Sequence, residues 1–189
     1  MSDTDLYLLK SSGYNGMTAV AKQDLLPGQM VLKEEVPLMS FSSEIRSQYD
    51  YPEPYISAFA IFVTYMEDCS PSTQEVMNSL LDPPSGHLAE SYRDFARTMK
   101  YKPKNEKEDR VLNSDEVELL ASIAGTVNIS QFVLPGKVLI FTDINRFKHS
   151  CIPNCRATVV GGTTCVCYTI LPIKQGDILT ISHNSARDL

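Results

Sequence analysis

The chain has 189 residues, 43% of them hydrophobic, and a formal net charge of -6 at pH 7. This length suffices for one hydrophobic core, and the acidic balance argues against direct binding of nucleic acid. The apolar runs are far shorter than the roughly 20 residues that a membrane helix needs, and the acidic start does not resemble a signal peptide. We therefore expect an intracellular protein of the nucleus, the cytoplasm or both, with no membrane contact.

The N-terminal part of the chain predicts β-structure. Residues 17–22 and 30–34 have the composition of strands, and Leu26-Pro27-Gly28 lies between them. Proline fixes φ and glycine admits a left-handed turn, so this tripeptide is a turn signal. The sequence therefore predicts a β-hairpin made of these two strands.

The middle third of the chain predicts helices. Residues 72–75 have the form of a capping box, and residues 82–86, with two prolines and a glycine, are expected to stop the helix that follows it. Two sets of apolar residues recur at helical spacing, namely Ile56, Phe59, Ala60 and Val63, and Leu88, Tyr92, Phe95 and Met99.

The charged run at residues 100–110 predicts a mobile loop. A short helix is expected next, starting near Asn113 or Ser114 and ending at Gly125. Strands are predicted at residues 138–142, 157–160, 163–169 and 178–182. The Gly161-Gly162 pair is a strong hairpin signal between the second and third of these.

The most informative segment covers residues 146–155, which read Arg-Phe-Lys-His-Ser-Cys-Ile-Pro-Asn-Cys. A compact cluster of histidine, cysteine and asparagine with a proline is typical of binding sites. The segment resembles, with one substitution, the Asn-His-Ser-Cys-x-Pro-Asn signature of SET domains, since Lys148 stands where the family has asparagine.

Two further blocks resemble the same family in the same order along the chain. Residues 13–20 and 26–31 are similar to its opening glycine-rich turn and Pro-Gly turn, and residues 171–182 are similar to its closing stretch. A long helical insertion, Asn15 and residues 128–132 are similar to the SET and MYND domain (SMYD) type. The zinc-binding MYND cluster is absent from the sequence, and the chain stops at Leu189 without the Cys-rich post-SET tail.

The resemblance implies an α+β fold, a mostly β SET fold of small twisted sheets with a pseudoknot-like signature loop and a helical insertion. We expect a single SET domain over residues 1–189, formed by about 1–41 and 115–189, with the insertion at about 42–114. A monomer is expected.

The resemblance also implies a function, the transfer of a methyl group from S-adenosylmethionine to a lysine of a histone or another protein. A glycine-rich turn lets the backbone approach a cofactor closely, and asparagine amides can bind its amino-acid end. Lysine offers donors only, so Lys148 could pair with the cofactor carboxylate. For His149, a buried core histidine is the alternative to a cofactor contact. The residues expected to bind the cofactor are Gly13, Tyr14, Asn15, Gly16, Asn128, Lys148 and His149.

The expected catalytic position departs from the family pattern. The closing strand of the family ends in a tyrosine beside the reacting nitrogen, and His183 stands at that place. An imidazole can hydrogen-bond and accept a proton near neutral pH, but it is shorter than a phenol. Tyr168, on a neighbouring predicted strand, is a candidate substitute. The alternatives are a catalytically inactive SET domain that serves as a cofactor-binding or protein-interaction module, and a chain truncated from a longer protein.

The five cysteines are expected to be reduced thiols, because the sequence shows no secretory signal. A zinc site is conceivable from four thiolates, but their spacing lacks the usual Cys-x-x-Cys knuckle. We therefore predict no metal site. The four cysteines concerned are Cys151, Cys155, Cys165 and Cys167.

Overall fold

The structure is a computed structural model, which describes residues 6–11, 17–42, 55–81, 87–135 and 137–182. The strands in these ranges are β1 Tyr7–Ser11, β2 Met17–Ala21, β3 Met30–Glu34, β4 Met39–Ser42, β5 Lys100–Tyr101, β6 Arg110–Val111, β7 Gln131–Leu134, β8 Lys137–Ile140, β9 Lys148–His149, β10 Cys155–Val160, β11 Thr164–Thr169 and β12 Thr180–Ile181. The helices are α1 Tyr55–Glu67, α2 Pro71–Leu80, α3 His87–Thr98, α4 Ser114–Ser130 and a 3-10 helix, Ile144–Arg146. The predicted α+β class is confirmed.

The chain divides into two compact units. The first comprises Met1–Ser40, Ser130–Leu134 and Leu139–Leu189, and the second comprises Phe41–Ile129 and Pro135–Val138. The domain boundaries expected from the sequence stay a prediction. Among the described helices, none has the length and apolar character needed to cross a membrane.

The described strands form small sheets of two or three strands each. β1 pairs with β2, β5 with β6, and β9 with β12, while β10-β11-β3 and β4-β8-β7 form sheets in those orders. The pairing of β9 with β12 is parallel. The predicted hairpin between residues 17–22 and 30–34 is wrong, because β2 pairs with β1 and β3 pairs with β11.

The physical reason for that error lies in the turn between β2 and β3. Its backbone groups bond to a distant segment: Leu25 exchanges two hydrogen bonds with Ile173, at 2.8 and 3.0 Å, and Gly28 donates to the Thr169 carbonyl at 2.8 Å. The buried Thr169 hydroxyl also donates to the Leu26 carbonyl at 2.5 Å. These bonds satisfy the turn without requiring its flanking strands to pair with each other.

The core of the first unit is built from several short elements. Residues of its strands include Ala19, Val31, Leu32 and Cys165. Three phenylalanines, Phe132, Phe141 and Phe147, belong to the same core. Phe147 is only 1% exposed and meets the Tyr7 ring edge-on, with ring centroids 5.5 Å apart. The core therefore anchors the chain immediately before residues 148–154.

The second unit contains the predicted helices, with two corrected boundaries. α2 begins at Pro71, two residues earlier than expected, because the Ser70 hydroxyl accepts from Thr73 N–H at 3.2 Å and proline suits the first helical position. α4 begins at Ser114 as expected but runs through Gly125 to Ser130. Residues 82–86, expected to stop α2, lie outside the described residues.

The charged run at residues 100–110 is held at its two ends. β5 and β6 pair antiparallel there, Lys100 opposite Val111 and Tyr101 opposite Arg110. The guanidinium of Arg110 lies 5.7 Å from the centre of the Tyr101 ring, a cation–π distance. The prediction of a loop is therefore wrong at the two ends of the run, which form paired strands, while residues 102–109 connect them and their mobility stays a prediction.

The strands predicted in the last third are confirmed in kind, with shifted bounds. β10 and β11 form the hairpin expected at Gly161-Gly162, with Val160 opposite Thr164. The two glycines have φ values of 60° and 75°, the left-handed region that glycine adopts at low cost. Near residue 178 the strand is shorter than predicted, with an isolated bridge from Ile178 to Val20 before β12 begins.

Candidate functional site

The signature segment, residues 148–154, begins with a strand that lies beside the closing strand of the chain. In the parallel pair of β9 and β12, Lys148 is opposite Thr180 and His149 is opposite Ile181. Ser150 N–H donates to the Ile181 carbonyl at 2.9 Å. Residues 32 positions apart in the sequence are thus joined by backbone bonds, with no tight turn between them.

Leu179 links three segments of the first unit. Its N–H donates to the Ala19 carbonyl in β2 at 2.9 Å, and its carbonyl accepts from Lys148 N–H in β9 at 3.3 Å. The side chain of Leu179 is fully buried in the core. The closing segment therefore lies between the N-terminal strand β2 and the signature strand, and hydrogen-bonds to both.

Asn154 fastens the other end of the signature segment. Its side-chain oxygen accepts from Thr180 N–H at 2.8 Å and its Nδ2 donates to the Ile178 carbonyl at 2.9 Å. Its own carbonyl accepts from Ile170 N–H at 2.8 Å. These bonds show that Asn154 shapes the loop.

The two expected cofactor residues on β9, Lys148 and His149, are both exposed. Successive strand residues point to opposite faces, so their side chains leave the strand in different directions. Lys148 forms no ion pair with any residue in the described ranges. The His149 Nε2 atom lies 3.5 Å from Sγ of the exposed Cys151. Since His149 is exposed, the buried-core alternative for this residue is wrong.

The remaining predicted residues are not brought together by what the structure describes. Gly13, Tyr14, Asn15, Gly16 and His183 lie outside the described residues. The first four belong to the connection between Ser11 and Met17, which are paired at the ends of β1 and β2. Two other predicted site residues lie in described elements. Asn128 lies in α4, where only its backbone is described. Tyr168, the candidate catalytic substitute, lies on β11 opposite Arg156 and is 39% exposed. The roles of all these residues stay predictions.

Sequence reasoning missed Glu34, the last residue of β3. Its carboxylate accepts from the backbone N–H groups of Thr142, Asp143 and Ile144, just ahead of the signature. Burial raises the pKa of Glu34, and the nearby Asp143 charge adds to this, while the three N–H donors oppose it. No local pattern could reveal a partner 108 residues away.

The cysteines are separated by burial. Cys155, Cys165 and Cys167 are fully buried in the core of the first unit, whereas Cys151 is exposed. Burial raises the pKa of Cys165 to about 12, and the hydrogen bond with Cys155 and burial together raise the pKa of Cys167 strongly. Such thiols are poor nucleophiles. In the ranges that the structure describes, no group of three or more His, Cys, Asp or Glu side chains could hold a metal ion.

The second unit contains an open cleft of about 360 Å³. Several of its lining residues are already paired: Arg110 binds Glu116, outside the lining, in a bidentate pair at 2.6 and 2.7 Å, and the Tyr101 hydroxyl donates to Glu67. Hydrogen bonding by Arg110 holds the pKa of Glu116 below its usual range. No residue of the signature lines this cleft.

Comparison with known proteins identifies the family. The model of the SET domain matches residues 16–184. The chain therefore belongs to the SET domain family, and its α+β architecture is the SET fold. No curated protein matches this chain.

The chain is similar to many solved structures, two of which follow. The first is the SET domain of LSMT bound to lysine and AdoHcy, at 11% identity and a TM-score of 0.54, covering 97% of this chain and 50% of that one. This similarity supports the fold alone. The second is a Plasmodium falciparum "putative histone methyltransferase", at 13% identity and a TM-score of 0.40, covering 94% of this chain and 91% of that one. The chain thus spans half the length of the LSMT chain.

Proposed function

We propose that this SET domain binds S-adenosylmethionine and transfers its methyl group to a lysine side chain of a partner protein, a histone or a non-histone protein. The family supports the general reaction. The observation that carries the proposal is the position of Leu179, which bonds to Ala19 in β2 and to Lys148 in the signature strand. The same backbone thus connects the N-terminal hairpin with the segment that carries the family signature.

Several features fit the proposed cofactor. The Lys148 ammonium is exposed and offers a cation for a carboxylate, the charge that the amino-acid end of the cofactor carries. Among the residues that the structure describes, the hydroxyl of Thr18 is buried without a hydrogen-bond partner, two residues after Gly16. A buried hydroxyl without a partner costs roughly 1–3 kcal/mol, which a bound polar group could offset.

The proposed roles follow from the chemistry of each side chain. S-adenosylmethionine supplies an electrophilic methyl group on a sulfonium. Lys148 binds its carboxylate, while Asn15 and Asn128 bind its amino-acid end through their amides. His183, with Tyr168 as the substitute, orients the neutral amine of the substrate lysine and excludes water from it.

A second function, an inactive SET domain that binds cofactor or a partner protein, is favoured by two substitutions. Lys148 replaces the asparagine of the signature, and His183 replaces the closing tyrosine. A displacement of about 1 Å in a catalytic group costs on the order of a hundredfold in rate.

We also propose that the domain is of the SMYD type and acts as a monomer in the nucleus or cytoplasm, on the sequence features given above.

Calorimetric titration with S-adenosylmethionine tests the binding site. We expect saturable binding by the wild type, weakened about tenfold in Lys148→Ala because a charge-assisted hydrogen bond is lost. Lys33→Ala is the matched control, since Lys33 is an exposed lysine that pairs with Glu35. A wild type that does not bind, or two variants with equal losses, would contradict the proposed site.

A methyl-transfer assay then separates the two functions. Radiolabelled S-adenosylmethionine is incubated with the protein, histones and a cell lysate, and labelled lysine is measured. Label that depends on His183 and Tyr168 supports the enzyme, and His183→Tyr is expected to raise the rate. Cofactor binding without any transfer, including in His183→Tyr, supports the inactive module.

A further inference from the structure

The carboxylate of Glu34 occupies the start of the 3-10 helix that precedes the signature strand. Oε1 accepts from Thr142 N–H at 2.6 Å, and Oε2 accepts from Asp143 N–H at 3.1 Å and from Ile144 N–H at 3.4 Å. Asp143 stands at the N-cap of this helix, yet its own side chain makes no capping bond. Glu34 therefore provides the cap from a distant strand.

The capped turn leads directly into the signature strand. Inside the turn, Arg146 N–H donates to the Asp143 carbonyl and Phe147 N–H to the Ile144 carbonyl, both at 3.0 Å. Phe147 is buried in the core, and the next residue, Lys148, is bonded to Leu179. Only three residues separate Ile144 from Lys148, so a rotation of the turn displaces the signature strand.

The surroundings of Glu34 make it sensitive to protonation. No described cation pairs with it, and the titratable groups that face it are Asp143, Tyr7 and Cys165. Burial raises the pKa of its carboxyl group. A protonated carboxyl group turns one acceptor oxygen into a donor, which then faces backbone donors.

We propose that Glu34 is a positioning residue, which holds the turn before the signature and thereby sets the affinity for the cofactor. This inference rests on the proposed function, because the affinity concerned is that for S-adenosylmethionine. Glu34 acts on the signature strand through the backbone of Thr142, Asp143 and Ile144. It does not itself contact the cofactor.

The test compares Glu34→Gln and Glu34→Ala with Glu35→Gln. Glu35 is the next residue, exposed and paired with Lys33, so its variant changes the same charge without touching the turn. A glutamine keeps one acceptor oxygen and places an NH₂ group against a backbone donor. Thermal unfolding first shows whether each variant folds.

Cofactor affinity is the first readout, by calorimetry from pH 5 to pH 8. We expect Glu34→Gln to weaken binding about threefold and Glu34→Ala about tenfold, with Glu35→Gln unchanged. The wild type is expected to lose affinity as the pH falls through the pKa of Glu34, and Glu34→Gln is expected to show less of that loss. Folded Glu34 variants with wild-type affinity and pH profile would overturn the inference.

Amide hydrogen exchange is the second readout, and it needs no cofactor. In Glu34→Ala, the amides of Thr142, Ile144, Lys148 and Ser150 are expected to exchange faster, while those of β1 and β2 keep their wild-type rates. Uniform acceleration across the first unit would show a merely structural role and overturn the inference. If the wild type fails to bind S-adenosylmethionine, the proposed function falls, and local exchange still decides whether Glu34 positions the signature.

Discussion

Two helices of this protein begin against a glutamate carboxylate, and the two arrangements differ in origin and in charge. At α4, Glu116 and Asn113 form a reciprocal capping box, each side chain accepting from the backbone N–H of the other at 2.9 and 3.0 Å. At the 3-10 helix Ile144–Arg146, the cap is Glu34, more than 100 residues away. Glu116 is paired with Arg110, whereas no described cation pairs with Glu34.

The difference separates a local element from one that depends on the whole fold. The cap of α4 lies within four residues, so this helix start forms as soon as its own turn forms. The start of the 3-10 helix needs β3 to be in place already. The 3-10 helix, which directly precedes the signature strand, is thus an element whose geometry is set by long-range contacts.

The largest expected effect on stability comes from removing the buried side chain of Phe147, which anchors the end of the 3-10 helix in the core. Phe147→Ala removes a side chain that is 1% exposed, and we expect a loss of about 3–5 kcal/mol in the free energy of unfolding. Urea denaturation measures it. A loss below about 1 kcal/mol would contradict the account of this anchor.

Removing the local cap is expected to have a smaller effect. Glu116→Ala deletes the acceptor for Asn113 N–H and the partner of Arg110, and the lost cap alone costs roughly 1 kcal/mol. Urea denaturation gives the loss, and circular dichroism reports the helix content. Glu118→Ala on the same helix is the control, since Glu118 pairs with Arg93 at the exposed surface. Equal losses in the two variants would show that the cap is not what stabilises α4.

The two carboxylates are expected to respond to pH with opposite signs. The pKa of Glu116 is lowered, first by Arg110, so its contribution to stability is present above the unfolded pKa and is lost as the pH falls through the folded pKa. The pKa of Glu34 is raised by burial, so its contribution is present below the unfolded pKa and is lost as the pH rises through the folded pKa.

Unfolding free energies of Glu34→Gln and Glu116→Gln, measured from pH 3.5 to pH 7, check these signs. On acidification, the deficit of Glu116→Gln relative to the wild type should shrink. The stability of the wild type relative to Glu34→Gln should rise over the same range. Parallel curves for the two variants would contradict the assignment.

The smallest expected effect lies in the turn that leads into the closing segment. Gly176 has a φ of 89° and donates its N–H to the Ala21 carbonyl at 2.9 Å, with open space where a Cβ would lie. Gly176→Ala is expected to cost about 1 kcal/mol through backbone strain, and Gly176→Asn less, because asparagine tolerates left-handed conformations. Thermal unfolding distinguishes the two, and equal stability of all three proteins would exclude the strain.

The sequence predicted the elements whose signals are local. Each of these signals depends only on residues that are close together in the sequence. They are the apolar spacing in α1, the start of α4 and the Gly161-Gly162 hairpin. The signature at residues 148–154 identified the family directly.

Long-range pairing was not predictable in the same way. The composition of β2 and β3 shows that they are strands but does not say which strands they pair with, and here the partners are β1 and β11. The same holds for Glu34, whose acceptor role depends on three backbone donors brought to it by the fold. Tertiary contacts decided both.

The central claim is that the signature strand and the closing strand, joined through Leu179, form the cofactor site. Titration of the isotopically labelled protein with S-adenosylmethionine, followed by amide chemical shifts, tests it most directly. We expect the largest chemical-shift changes at the amides of Lys148, Ser150, Leu179 and Ile181, and no change in the antiparallel pair of β5 and β6. Changes confined to β5 and β6, or no change at a large excess of cofactor, would contradict the claim.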